Sequence, residues 1–159
     1  MRPDQGEVDG AAFMAMQRLA WTEKQFQAAL LKAYCGTKKE PLPAGIAWKA
    51  FHTFFSKNSM EGWPDLVLLR GGRIVIAEMK SETGKLSAAQ KECLALLRAV
   101  QLAIAASLCR ASLECGDGNG PLSPRPACAF HIRIAERMYG VYEWRPRHWN
   151  SAEIESVLR

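Results

Sequence analysis

Two short apolar runs, Leu66 to Leu69 and Ile74 to Ala77, stand on either side of Arg70-Gly71-Gly72-Arg73. Runs of this length, rich in Leu, Ile and Val, read as strands, and Gly-Gly between them reads as a two-residue hairpin turn. Such turns need positive φ, which glycine adopts without strain. Placing the turn at Gly71-Gly72 sets the register. Arg70 pairs with Arg73, Leu69 with Ile74, Leu68 with Val75, Val67 with Ile76 and Leu66 with Ala77. A run that is apolar at every position predicts a strand covered on both faces. The hairpin is therefore expected at the centre of a mixed sheet flanked by helices, in an α/β fold.

The same register brings Asp65 opposite Glu78. Directly opposed side chains have Cβ atoms about 5 Å apart. Two carboxylates at that separation repel unless a proton or a cation sits between them. Lys80, two residues beyond Glu78, projects from the same face. Two carboxylates and an ammonium at the end of apolar strands suit Mg²⁺ or Mn²⁺, with Asp65 and Glu78 as ligands. Such an ion takes one or two carboxylates plus waters and phosphate oxygens. Lys80 would then orient a water or offset negative charge. The plainer alternative makes Asp65 a turn residue after Pro64, and Glu78 and Lys80 a solvated strand end.

At 159 residues the chain is most simply one domain with its own core. Its net charge of +5 permits a polyanionic partner without requiring one. Arg and Lys near the hairpin (Lys49, Lys57, Arg70, Arg73, Lys80, Lys85, Lys91) could follow a phosphate backbone. Five cysteines at irregular spacing do not read as a disulfide framework, so reduced thiols in a cytoplasmic setting are expected. Asp4, Glu7 and Asp9 stand where a signal peptide would have a basic start. The apolar run Leu94 to Leu108, interrupted by Arg98 and Gln101, reads as too short for a bilayer span. No membrane association is expected.

Residues 1–20 read as an extension, frayed at first, with a short helix over Ala12 to Ala20. Thr22 to Gln25 is a capping-box pattern opening a helix to about Tyr34, with Phe26, Leu30 and Ala33 toward the core and Gly36 as its stop. Glu23, in the first turn, has a structural reason to be there, because a carboxylate complements the helix dipole. Ile46 to Phe55 reads as a strand that contains His52. Ser87 to Gln90 is a second capping box, and Gln90 either completes the cap or leans toward the carboxylates. A helix follows, extending as far as Leu108. Ala127 to Ile134 alternates, with Phe130, Ile132 and Ile134 on one side, and predicts an extra strand. Gly140 to Trp144 predicts another, ended by Arg145-Pro146. A last helix capped by Asn150 or Ser151 would bury Ile154, Val157 and Leu158. Trp144 and Trp149 read as packing residues. Cys109, Cys115, Cys128 and His131 invite a zinc reading but lack the two close pairs of a zinc knuckle, and buried or idle thiols are the expectation there. Arg145 and Arg147 are candidates for phosphate contact, although exposed arginines are usually only solvated.

Taken together, several of these pieces resemble the PD-(D/E)xK nuclease superfamily and, more narrowly, the virus-type replication-repair nuclease (VRR-NUC) domain. They are Glu23 in T-E-K-Q-F-Q, His52, Gly62-Trp63-Pro64-Asp65, Glu78-Met79-Lys80, Gly84-Lys85-Leu86-Ser87 with Gln90, and V-Y-E-W-R-P near the end. The resemblance covers most of residues 21–98 and 139–158. It implies a restriction-endonuclease-like fold and a domain over 21–159. An insertion of about 40 residues (99–138) precedes the last core strand, longer than usual connections. It implies Mg²⁺- or Mn²⁺-dependent phosphodiester hydrolysis in branched or four-way-junction DNA by a homodimer, in phage or bacterial DNA repair and recombination. By resemblance the metal would be held by Asp65, Glu78 and the Met79 main-chain carbonyl with help from Glu23. Lys80 and Gln90 would complete the catalytic set, and His52 would contact substrate phosphate alongside Lys57, Lys85 and Arg145. An inactive nucleic-acid-binding or partner-binding module of the same fold is the alternative.

Overall fold

The computed structural model describes residues 10–52, 61–112 and 127–159, with His52 described by its main chain alone. Ten elements follow in order: α1 (Gly10–Leu19), α2 (Glu23–Cys35), β1 (Lys49–His52), β2 (Leu66–Arg70), β3 (Arg73–Met79), α3 (Ala88–Ala111), α4 (Ala129–Met138), β4 (Tyr139–Trp144), α5 (Pro146–Asn150) and α6 (Glu153–Leu158). The strands form one mixed sheet in the order β1-β2-β3-β4, with β3 and β4 parallel and the other pairs antiparallel. The hairpin is central, and its register from Arg70↔Arg73 to Leu66↔Ala77 is the one the Gly-Gly turn dictates. Gly71 and Gly72 adopt φ of 54° and 76°.

Helices cover both faces, which is why β2 and β3 are apolar throughout. Alternate residues Leu66, Leu68, Val75, Ala77 and Met79 pack with Phe26 and Leu30 of α2, Trp48, Trp144, and Ile154 and Leu158 of α6. The opposite set, Val67, Ile74 and Ile76, packs with Cys93, Leu94 and Leu97 of α3 and with Val141. Each fully buried leucine in these layers contributes about 1.5–3 kcal/mol. By the same period of two, Asp65 and Glu78 fall on the α3 side, one step past the apolar layer.

Both capping boxes form. Thr22 Oγ1 accepts from Gln25 N–H while Gln25 Oε1 accepts from Thr22 N–H, and Ser87 with Gln90 repeats the pattern.

Four local expectations are corrected. Ala33 is exposed on α2, beyond the width of its buried stripe. The alternation around Phe130 forms helix α4 and no strand. Its buried residues are His131 and Ala135, four apart, while Phe130 is exposed. Ala129, Ala135, Glu136, Arg137 and Met138 are good helix formers, and a five-residue alternation is too short to outweigh them. Neither Asn150 nor Ser151 caps the last helix. Asn150 ends α5, and Ala152 takes the cap position at φ 60°. Finally, the apolar run read as too short for a bilayer span lies within a 24-residue helix, α3. By length and composition alone it could cross a membrane. Here Cys93, Leu94 and Leu97 pack against the sheet and Gln101 Nε2 donates to Tyr139 O at 2.7 Å.

Candidate functional site

The hairpin has two ends. The end away from the turn lies between the first turns of α2 and α3, and there the strands run out of apolar residues. Asp65 precedes β2, Glu78 is the penultimate residue of β3, and Lys80 follows that strand. Asp65 Oδ2 accepts the Met79 N–H at 2.9 Å, and Lys80 N–H donates to Trp144 O at 2.9 Å. Side chain and main chain thus continue the sheet past its last paired residues and hold the acidic groups in place.

Glu78 is fully buried. Its Oε1 accepts from Lys80 Nζ at 2.6 Å and from Gln90 Nε2 at 2.5 Å. Its Oε2 is buried and has no hydrogen-bond partner among the described residues. Asp65, the neighbouring group, is a second carboxylate and offers a donor only when protonated. Burial pushes the Glu78 carboxyl up to about 7, against the hydrogen bond from Lys80, and the Asp65 charge and a hydrogen bond to Asp65 add to the rise. Burial alone would lower Lys80, yet Glu78, Glu23 and Asp65 around it hold its ammonium above the ordinary value.

Glu23, on the first turn of α2, is half exposed and reaches the lysine, with Oε1 3.7 Å from Lys80 Nζ. It therefore bears on the site through Lys80. Gln90 resolves the choice left by its position, because its amide does both jobs. Oε1 completes the α3 cap and Nε2 holds Glu78. That dual contact needs α3 to start very close to the loop before Asp65. Gly62 makes the approach possible. It sits at φ +83°, and a Cβ there would lie 2.4 Å from both C and O of Ala89. Met79 is buried in the core by its side chain, so only its main chain is placed to face the carboxylates.

The residues considered for phosphate contact separate. Lys85 is exposed on the segment joining β3 to α3. Lys57 and the side chain of His52 lie outside the described residues. The Cα of His52 pairs with Leu66, next to Asp65. Arg145 is already committed. Its Nη1 donates to the carbonyls of Ser81, Glu82 and Gly84 at 2.9, 3.1 and 2.8 Å, and its Nε and Nη2 hold Glu143. Arg147 pairs with Glu82 at 2.7 Å. These two arginines clamp the segment that follows Lys80. Glu143, beside Glu78 in the parallel ladder, was not singled out from the sequence; only the register of β4 reveals it.

The donor set fits a hard divalent cation. Glu78 Oε2 is an orphaned buried oxygen, Asp65 has a second oxygen beyond the one bonded to Met79, and an ammonium lies alongside to balance charge. In comparisons with known proteins, no family model, curated protein or solved structure matches the chain.

Proposed function

We propose that this protein is a metal-dependent DNA endonuclease of restriction-endonuclease-like fold, related to the VRR-NUC nucleases of the PD-(D/E)xK superfamily. Its substrate is branched or four-way-junction DNA, cut by a homodimer in the cytoplasm of a bacterium or phage-infected cell. One observation carries the reading: a fully buried carboxylate, Glu78, flanked by Asp65 and Lys80, whose second oxygen has no partner beyond a proton shared with Asp65. A purely structural ion pair would satisfy both oxygens, since leaving one buried acceptor unmade costs about 1–3 kcal/mol.

Asp65, Glu78 and the Met79 carbonyl would hold Mg²⁺ or Mn²⁺. When bound, the ion supplies charge that polarises the phosphodiester and acidifies water. Lys80 Nζ orients the attacking water and offsets charge developing on the phosphoryl oxygens. Glu23 and Gln90 are positioning residues: Glu23 steadies the lysine from the exposed side, and Gln90 fixes Glu78 from α3. Water oxygen forms the new bond to phosphorus and gives up a proton to solvent, while the strand's bridging oxygen leaves and takes a proton from solvent. Lys85, with Lys57 and His52, contacts the DNA backbone. Arg145 acts through the segment it clamps. A homodimer suits the symmetric cutting of two strands. Leu96, Val100 and Leu102, exposed along α3, offer a second copy an apolar stripe.

The test is a Mg²⁺- or Mn²⁺-dependent cleavage assay on duplex, flap and four-way DNA. Product from branched DNA that disappears in both Asp65→Ala and Lys80→Ala is the expected result. Binding without cleavage in the wild type would instead make the protein an inactive nucleic-acid-binding module. Neither binding nor cleavage would point to a partner-binding protein.

A further inference from the structure

Away from the carboxylates, a second group of side chains meets where α3 ends and α4 begins. Cys109 lies in the last turn of α3, Cys128 is the residue before the first turn of α4, and His131 is one turn further on. The ligand atoms of all three lie within 4.8 Å of one another. Cys128 Sγ and His131 Nδ1 are 3.1 Å apart. His131 is buried, and the two thiols are half-buried. Cys128 occupies a cap position where Ser, Thr, Asp or Asn is preferred, and its side chain makes no cap hydrogen bond.

Two thiols and an imidazole form a soft donor set, unlike the hard oxygens around Glu78. Thiolate with imidazole selects Zn²⁺ among available divalent ions, whereas carboxylate and carbonyl oxygens select Mg²⁺ or Mn²⁺. Tetrahedral zinc with bonds of about 2.3 Å to sulfur and about 2.0–2.1 Å to nitrogen separates its ligands by between 3 and 4 Å. The cluster is within a small side-chain adjustment of that spacing. Linear spacing pairs only Cys128 with His131; Cys109 joins them when α4 folds back along α3.

We propose that Cys109, Cys128 and His131 bind one Zn²⁺ that ties the end of α3 to the start of α4. Cys115 lies outside the described residues and is assigned no part. The tie has a structural consequence. Chain direction passes from α4 straight into β4, the strand whose Trp144 carbonyl receives Lys80 N–H and which leads into the Arg145 clamp. Fixing α4 against α3 therefore fixes the outer strand beside Glu78.

The experiment is metal analysis and Co²⁺ substitution of the full chain, purified under reductant. One equivalent of Zn²⁺, and a Co²⁺ form with thiolate charge-transfer and tetrahedral d–d bands displaced by Zn²⁺, are expected. Those bands should be lost in Cys109→Ser, Cys128→Ser and His131→Ala. They should persist in Cys35→Ser and in Asp65→Ala, which separates this site from the carboxylates. A zinc-selective chelator, with Mg²⁺ kept in excess, should lower the wild-type Tm by several degrees. No tetrahedral Co²⁺ spectrum in the wild type would overturn the proposal whether or not the variants fold. So would bands untouched by Cys128→Ser, or a Cys109–Cys128 disulfide in place of bound metal.

Discussion

The two ends of the β2–β3 hairpin carry similar numbers of charges and use them in opposite ways. At the turn end, Arg70 and Arg73 lie over the Trp48 ring at 4.4 and 5.3 Å. Arg70 donates to the carbonyls of Ile46 and Arg159, and Arg73 to those of Arg137 and Val157, while Trp48 Nε1 takes Leu158 O. The two Arg73 acceptors lie in the last turns of α4 and α6, whose carbonyls helices leave unpaired, so that one guanidinium finishes both helices. At the open end, a fully buried carboxylate keeps one oxygen without a donor and sits beside another carboxylate. Charges near a hairpin are thus no guide to function by themselves. Two buried side-chain atoms are left without a partner among the described residues, Glu78 Oε2 and Trp144 Nε1, and the informative one is the carboxylate oxygen, because a second carboxylate and an ammonium lie beside it.

The contrast is broken most strongly by removing the open-end groups. Asp65→Ala or Lys80→Ala should lower cleavage of branched DNA by about 10³-fold or more, measured under single-turnover conditions. Arg73→Ala should leave that rate within a few-fold. Gly62→Ala comes next. Its Cβ collides with the main chain at Ala89, so α3 must move and Gln90 must let go of Glu78. A stability loss of about 2–3 kcal/mol by denaturant titration is expected, together with reduced cleavage. Arg73→Ala itself should cost about 1–3 kcal/mol in the same titration, from two carbonyls that lose their donor.

A further effect is in pH. Without metal, the folded protein keeps Glu78 protonated up to about 7, whereas the unfolded chain releases that proton near the ordinary glutamate value of 4.5. The folded state therefore holds the extra proton between those values. The stabilisation is full below the lower value and is lost as pH rises through the upper one. The metal-free Tm should fall by several degrees over that window, and Glu78→Gln should flatten the fall. Adding Mg²⁺ should restore stability above neutral pH, because the cation takes the proton's place.

How far these features could be read from the residues depends on how local their causes are. The hairpin register and the opposition of Asp65 and Glu78 follow from a two-residue glycine turn. Both helix starts follow from capping pairs three residues apart. Gln90 was legible as a choice between two roles; its amide performs both because Gly62 lets the chain approach. Arg145 was not legible, since its partners are main-chain carbonyls, and no side-chain pattern marks those. The short alternation in α4 imitated a strand. The Cys109, Cys128 and His131 cluster exists only through the packing of α3 on α4, which spacing along the chain does not encode.

The most direct test of the central claim is calorimetric titration of zinc-replete protein with Mn²⁺ at a pH near 7. The account predicts saturable binding with proton release, lost in Asp65→Asn and in Glu78→Gln while both variants stay folded. Binding that is absent in the wild type, or unchanged in those two variants, would contradict it.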